Sequence, residues 1–161
     1  MWLSDRRNFL LAAAALAGCG FTPAYGPQGG GSALLGSIAL EEPANRYGYD
    51  FNSRFEERLG RASGPYALKI RLETQSQGLG SLADGQTTRY RLVGRVFYTL
   101  TPVGSEEALI AGRTNAFTSY SATGSTAATQ AAERDAKRRL MVILADQVID
   151  RLLLDADTLP K

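Results

Sequence analysis

The chain has 161 residues, with 18 lysines and arginines against 16 aspartates and glutamates, no histidine and one cysteine. That length suits one domain with a sizeable core rather than two, and the near-neutral balance argues against a bulk polyanion binder, so no nucleic-acid partner is expected. With no histidine and a single thiol, only carboxylates and hydroxyls remain for chemistry; zinc sites and Cys/His catalysis are excluded, and neither a metal nor a cofactor is expected.

The first residues read as an export address. Arg6 and Arg7 form a basic start, Phe9 to Ala17 an apolar run too short to span a bilayer, and Leu16-Ala17-Gly18-Cys19 closes it with small residues before the lone thiol. Cys19 is therefore expected to carry covalent lipid after removal of residues 1–18. The alternative, Cys19 as a small apolar residue of a core segment, leaves the basic start and the four-residue box unexplained. Asp5-Arg6-Arg7-Asn8-Phe9-Leu10 resembles the twin-arginine export pattern. That route and the general secretory route end at the same cysteine, and both stay open.

Residues 19–36 are rich in glycine and proline, notably from Pro27 to Ser32, and predict a flexible tether carrying the aromatics Phe21 and Tyr25. Enteric bacteria retain a lipoprotein at the inner membrane when aspartate follows the cysteine. Gly20 stands there instead, which favours the outer membrane, facing the periplasm.

A single domain over residues 37–161 is expected to follow. Ser37 to Leu40 is a short apolar strand, halted by Glu41-Glu42-Pro43. Phe51, Phe55 and Leu59 then recur every four residues, predicting a helix with Asp50 as N-cap and Gly60 and Gly64 beyond its end. Tyr66 to Glu73 alternates, with Tyr66, Leu68, Ile70 and Leu72 on one face and Lys69, Arg71 and Glu73 on the other. Gln77 to Gly85 reads as a glycine-rich loop ending in an Asp84-Gly85 turn.

The next run places Tyr90, Leu92, Val96, Tyr98 and Leu100 on one face, and Arg89, Arg91, Val93, Arg95 and Phe97 on the other. Ala108 to Tyr120 is a third strand whose phase is ambiguous, with Gly112 suggesting a bulge. From Ser125 or Thr126 as cap, Ala127, Ala128, Ala131, Ala132, Ala136, Leu140, Ile143, Leu144, Val148 and Leu152 form the stripe of a long helix. The order β-α-β-β-β-α predicts an α+β two-layer sandwich: a four-stranded, largely antiparallel sheet with two helices on one face.

The uncovered face would gather Lys69, Arg71, Arg89, Arg91 and Arg95, with Val93 and Phe97 among them. Guanidinium forks on phosphate oxygens, beside apolar groups on acyl carbons, suit a phosphorylated amphiphile. A solvated face that discourages aggregation is the other account of the same pattern.

Cys19-Gly20-Phe21 followed by Pro23 and Tyr25-Gly26, the Asp84-Gly85-Gln86 turn before Tyr90-Arg91-Leu92, and the final helix with Ala145-Asp146-Gln147 and Arg151-Leu152 together resemble the LptE family, in its alphaproteobacterial form. The resemblance implies a non-enzymatic lipoprotein of the Gram-negative outer membrane. It would plug the β-barrel LptD, support that barrel's assembly, and bind and help deliver lipopolysaccharide to the outer leaflet. Loops at one end of the family's domain are associated with lipid binding, yet here residues Gly78 to Gln86 and Ser121 to Gln130 contain no lysine or arginine. The strand cations are candidates in their place. An auxiliary lipoprotein of an ABC-type phospholipid transporter, or an envelope enzyme using Glu41, Glu42, Asp84, Glu106 or Glu107, remain the alternatives.

Overall fold

The computed structural model describes residues 31–61, 63–81 and 87–160. Cys19, the export signal, the tether up to Gly30 and the Asp84-Gly85-Gln86 turn lie outside the described residues. A one-turn helix α1 (Gly31–Leu34) leads to β1 (Ile38–Leu40), α2 (Arg46–Leu59), β2 (Tyr66–Ser81), β3 (Thr87–Pro102), β4 (Ile110–Ser121), α3 (Thr126–Leu154) and a closing 3-10 turn, Ala156–Thr158. No helix among the described residues is long and apolar enough to cross a membrane.

The strands lie in sequence order, β1-β2-β3-β4. β1 runs parallel to β2, with Ile38 opposite Tyr66 and Leu40 opposite Leu68, while both later pairings are antiparallel. The predicted α+β sheet is therefore mixed and mostly antiparallel, with α2 and α3 on one face. The parallel pair follows from α2, since parallel neighbours need a crossover of a dozen residues or more.

Several local details differ from expectation. α2 begins at Arg46, and its cap is Asn45, whose Oδ1 accepts from the Gly48 N–H at 3.0 Å. Asp50 lies inside the helix, because the apolar period marks only where the helix meets the core, whereas its start is set by whichever side chain first satisfies an orphan amide. β2 continues through the expected glycine-rich loop to Ser81, since pairing such as Gln77 with Arg91 and Leu79 with Arg89 overrides weak strand propensity. Residues 31–36, the end of the expected tether, pack on the body: Leu34 is buried, and the Gly36 N–H donates to the Leu59 carbonyl at 2.6 Å.

The core lies between sheet and helices. Phe51, Phe55 and Leu59 from α2 meet Leu68, Leu92, Val96 and Leu100 from the sheet and Leu140, Leu144, Val148 and Leu152 from α3, all essentially inaccessible. α3 approaches β3 closely at Gly94, where an added Cβ would stand 2.8 Å from Leu144 Cδ1. Gly112 marks a second close approach rather than a bulge: the β3–β4 register runs unbroken, and the Tyr98 phenol lies over it, 2.5 Å from where a Cβ would be.

Ser125 caps α3 by accepting from the Ala128 N–H. Ala127, Ala128 and Ala131, expected in the buried stripe, are exposed, and burial begins in earnest at Ala136. The reason is length. α3 has 29 residues against 14 in α2, and Lys137 of α3 already sits at 5.4 Å from the Tyr47 ring in the first turn of α2, so the turns before it have no helical neighbour among the described residues. Arg54 and Arg58 of α2 bind Asp146 at 2.9 and 3.1 Å, and Arg58 reaches Asp150 at 3.1 Å, a ladder that holds the two helices parallel.

Candidate functional site

The strand alternation that buries Leu68, Leu92 and Leu100 turns the intervening residues onto the uncovered face. The register sets Arg71 beside Phe97 and Arg113, Glu73 beside Arg95 and Asn115, Gln75 beside Val93 and Phe117, Gln77 beside Arg91 and Ser119, and Leu79 beside Arg89 and Ser121. Lys69 lies at one end beside Thr99. All five sequence-predicted cations share this face, but as a stripe: ten residues separate the Lys69 and Arg89 rows, about 34 Å at the rise of an antiparallel strand.

Within the stripe, two arginines are organised by aromatic rings. The Arg71 guanidinium lies 4.2 Å from the Phe97 centroid, and that of Arg91 lies 4.0 Å from Phe117. Such stacking uses the flat face of the guanidinium and leaves its edge N–H groups for an anion. Glu73 is the one carboxylate on the face among the described residues; it pairs with Arg71 and, at 3.4 Å, with Arg95. Lys69, Arg89, Arg91 and Arg113 therefore form an electropositive surface with no carboxylate partner among the described residues.

Arg113 and Phe117 escaped the sequence-based assignment. Both follow from strict alternation once β4 is started at Ile110, with Ile110 buried and Ala111, Arg113, Asn115, Phe117 and Ser119 exposed. Leu109, in the preceding turn, obscures that phase. A hollow of about 390 Å³ wraps the β4 edge, lined by Arg91, Val93 and Phe117 on the open face and by Ala116, Ile143 and Gln147 on the helix side. The Arg91 Nε is buried beside it without a hydrogen-bond partner among the described residues.

The acids weighed for catalysis are dispersed. Glu41 and Glu42 line a separate hollow of about 250 Å³ against Ile70 and Leu72, whereas Glu106 and Glu107 lie in the β3–β4 turn. Asp84 and Cys19 fall outside the described residues.

Comparison with known proteins decides the family. The model of the LptE family, described as lipopolysaccharide-assembly, matches residues 35–152, from ahead of β1 almost to the end of α3. The chain belongs to the LptE family. Membership makes it a bacterial envelope lipoprotein of lipopolysaccharide assembly, in a family of non-catalytic lipoproteins. The Cys19-Gly20-Phe21 motif precedes the matched span.

Solved structures share the LptE-type fold. A Caulobacter crescentus CB15 protein named as a lipoprotein is 21% identical, with 80% of this chain and 97% of that one covered and a TM-score of 0.65. The minor lipoprotein of Acinetobacter baumannii is 18% identical, covering 75% and 92% at a TM-score of 0.59. Rare lipoprotein B of Shewanella oneidensis is 13% identical, covering 75% and 94% at 0.55. No match is found among curated proteins.

Proposed function

We propose that this LptE-family chain is an outer-membrane lipoprotein, anchored by acyl groups on Cys19, that seats inside an LptD-type β-barrel, supports its assembly and assists delivery of lipopolysaccharide to the outer leaflet. The observation that carries the proposal is the arginine and aromatic stripe on the open sheet face of a family-matched body. Lipopolysaccharide combines phosphates with acyl chains, and the stripe offers guanidinium edges beside Phe97, Val93 and Phe117. Lys69, Arg71, Arg89, Arg91 and Arg95, joined by Arg113, are the contacts. A polar exterior also suits a barrel lumen that is itself polar. Several acyl chains on Cys19 give stable attachment where a single chain would be marginal.

The test replaces Arg89, Arg91 and Arg95 together by glutamine and follows lipopolysaccharide binding against salt. Affinity is expected to fall at least tenfold, with a flatter salt dependence. Unchanged affinity would discard the patch. Affinity isolation of the tagged chain from mildly solubilised envelopes tests the barrel separately: a large barrel protein should accompany it, and its absence would remove the plug role.

A further inference from the structure

We infer that the outer edge of β4 receives an extended, acidic segment of another polypeptide, which adds to the sheet as a fifth strand. This goes beyond the proposed lipid contact and does not depend on it.

β4 ends the sheet, with β3 on its inner side. The Ala122 N–H bonds the Thr88 carbonyl at 2.9 Å. Antiparallel ladders alternate, so the even-numbered residues of β4 turn their backbone groups to β3, while Ala111, Arg113, Asn115, Phe117, Ser119 and Ser121 present theirs outward. Such an edge is a template for another strand unless a proline, a bulge, charge or a covering element blunts it. β4 has an unbroken register, no proline, no lysine and one charged residue, Arg113. The opposite edge is shielded differently: β1 covers Tyr66 to Leu68 and stops at Glu41-Glu42-Pro43, Lys69, Arg71 and Glu73 charge the margin beyond it, and the uncharged remainder from Thr74 to Ser81 holds Gly78 and Gly80, the latter at a positive φ of 75° that breaks the extended run.

The hollow at Asn115 to Phe117 opens on both sides of this edge, with Phe117 62% exposed on one side and Ile143 38% exposed on the other. Charge selects the occupant. Side chains of an added strand on the open face would lie beside Arg113 and near Arg91 and Arg95, and carboxylates answer them; those on the other face would meet Ala116 and Ile143, which favour small or apolar groups. A second copy pairing β4 with β4 would set these cations against their own kind. The chain's own residues 19–30 hold no acid and two prolines, Pro23 and Pro27, so they match neither the charge nor the ladder.

The probe is a synthetic nine-residue peptide alternating glutamate and valine, with a lysine and valine peptide as control, added to the full chain in detergent. The acidic peptide should slow hydrogen exchange at Arg113, Asn115, Phe117 and Ser119 at least tenfold and bind at least tenfold more tightly than the control. Asn115→Pro and Ser119→Pro each delete only an outward N–H, where proline is tolerated in an edge strand, and should weaken binding tenfold while thermal unfolding shifts little. Should either variant fail to fold, a glutamate and valine peptide N-methylated at alternate residues replaces it, and must bind wild-type chain at least tenfold more weakly. Equal binding after either backbone change would reduce the interaction to charge and overturn strand addition. Protection absent from β4, or a β4-to-β4 dimer in the peptide-free chain, would overturn it as well.

Discussion

The two faces of the sheet are made by the same strands, yet they divide the protein's energetics between them. One carries Leu68, Leu92, Val96 and Leu100 under two helices, and the other carries Lys69, Arg71, Arg89, Arg91, Arg95 and Arg113 in the open. Each residue step crosses from one to the other, so every strand supplies burial and interaction in alternation. The difference teaches that folding free energy resides on the helix side, while the open face is free to be chosen for what it binds.

The largest effect should come from breaking the covered face. Phe55→Ala removes a fully buried ring packed beside Phe51 and is expected to cost about 3–5 kcal/mol in urea unfolding, whereas Phe117→Ala on the open face should change stability by about 1 kcal/mol or less. Comparable losses would erase the distinction between the faces.

A smaller effect is expected where the two helices meet at the surface. Asp146 is about 30% exposed between Arg54 and Arg58, and the bond that Arg54 donates to it, followed by the one Arg54 donates to Glu57, holds the Arg54 guanidinium above its ordinary range. Asp146→Ala should cost about 1 kcal/mol, less at high salt, as measured by thermal melts at two ionic strengths.

The shallowest signal is alkaline. Burial raises the Tyr98 phenol above its ordinary value, and the bond to Glu133 followed by that to Tyr47 raises Lys137. In both cases the unfolded chain loses its proton first, so stability is level below about pH 10 and falls as pH rises from there through the raised folded values. A flat profile to pH 11 would show that neither group differs between folded and unfolded chain.

Much of this division was legible in the residues alone. The alternation of Tyr66 to Glu73 and of Arg89 to Leu100, and the four-residue recurrence of Phe51, Phe55 and Leu59, are local periodicities that name a face without reference to any neighbour. Five of the six open-face cations and the α+β class followed from such patterns; Ser125 was one of the two caps offered, and the family resemblance rested on the order of short motifs instead. Arg113 did not follow, because Leu109 blurred the phase of β4. The exposed Ala127, Ala128 and Ala131 satisfied a helical stripe that meets no helix among the described residues.

The sequence by itself determined which side chains alternate and in what order the elements come, because steric and apolar periodicity act within a few residues. Tertiary structure alone decided which strands lie at the edges, where Gly94 and Gly112 admit a neighbour, and how far β2 extends, because each depends on a partner distant along the chain. The same dependence joins Arg91 to Phe117 across a strand pair and leaves β4 with one side of its backbone facing outward.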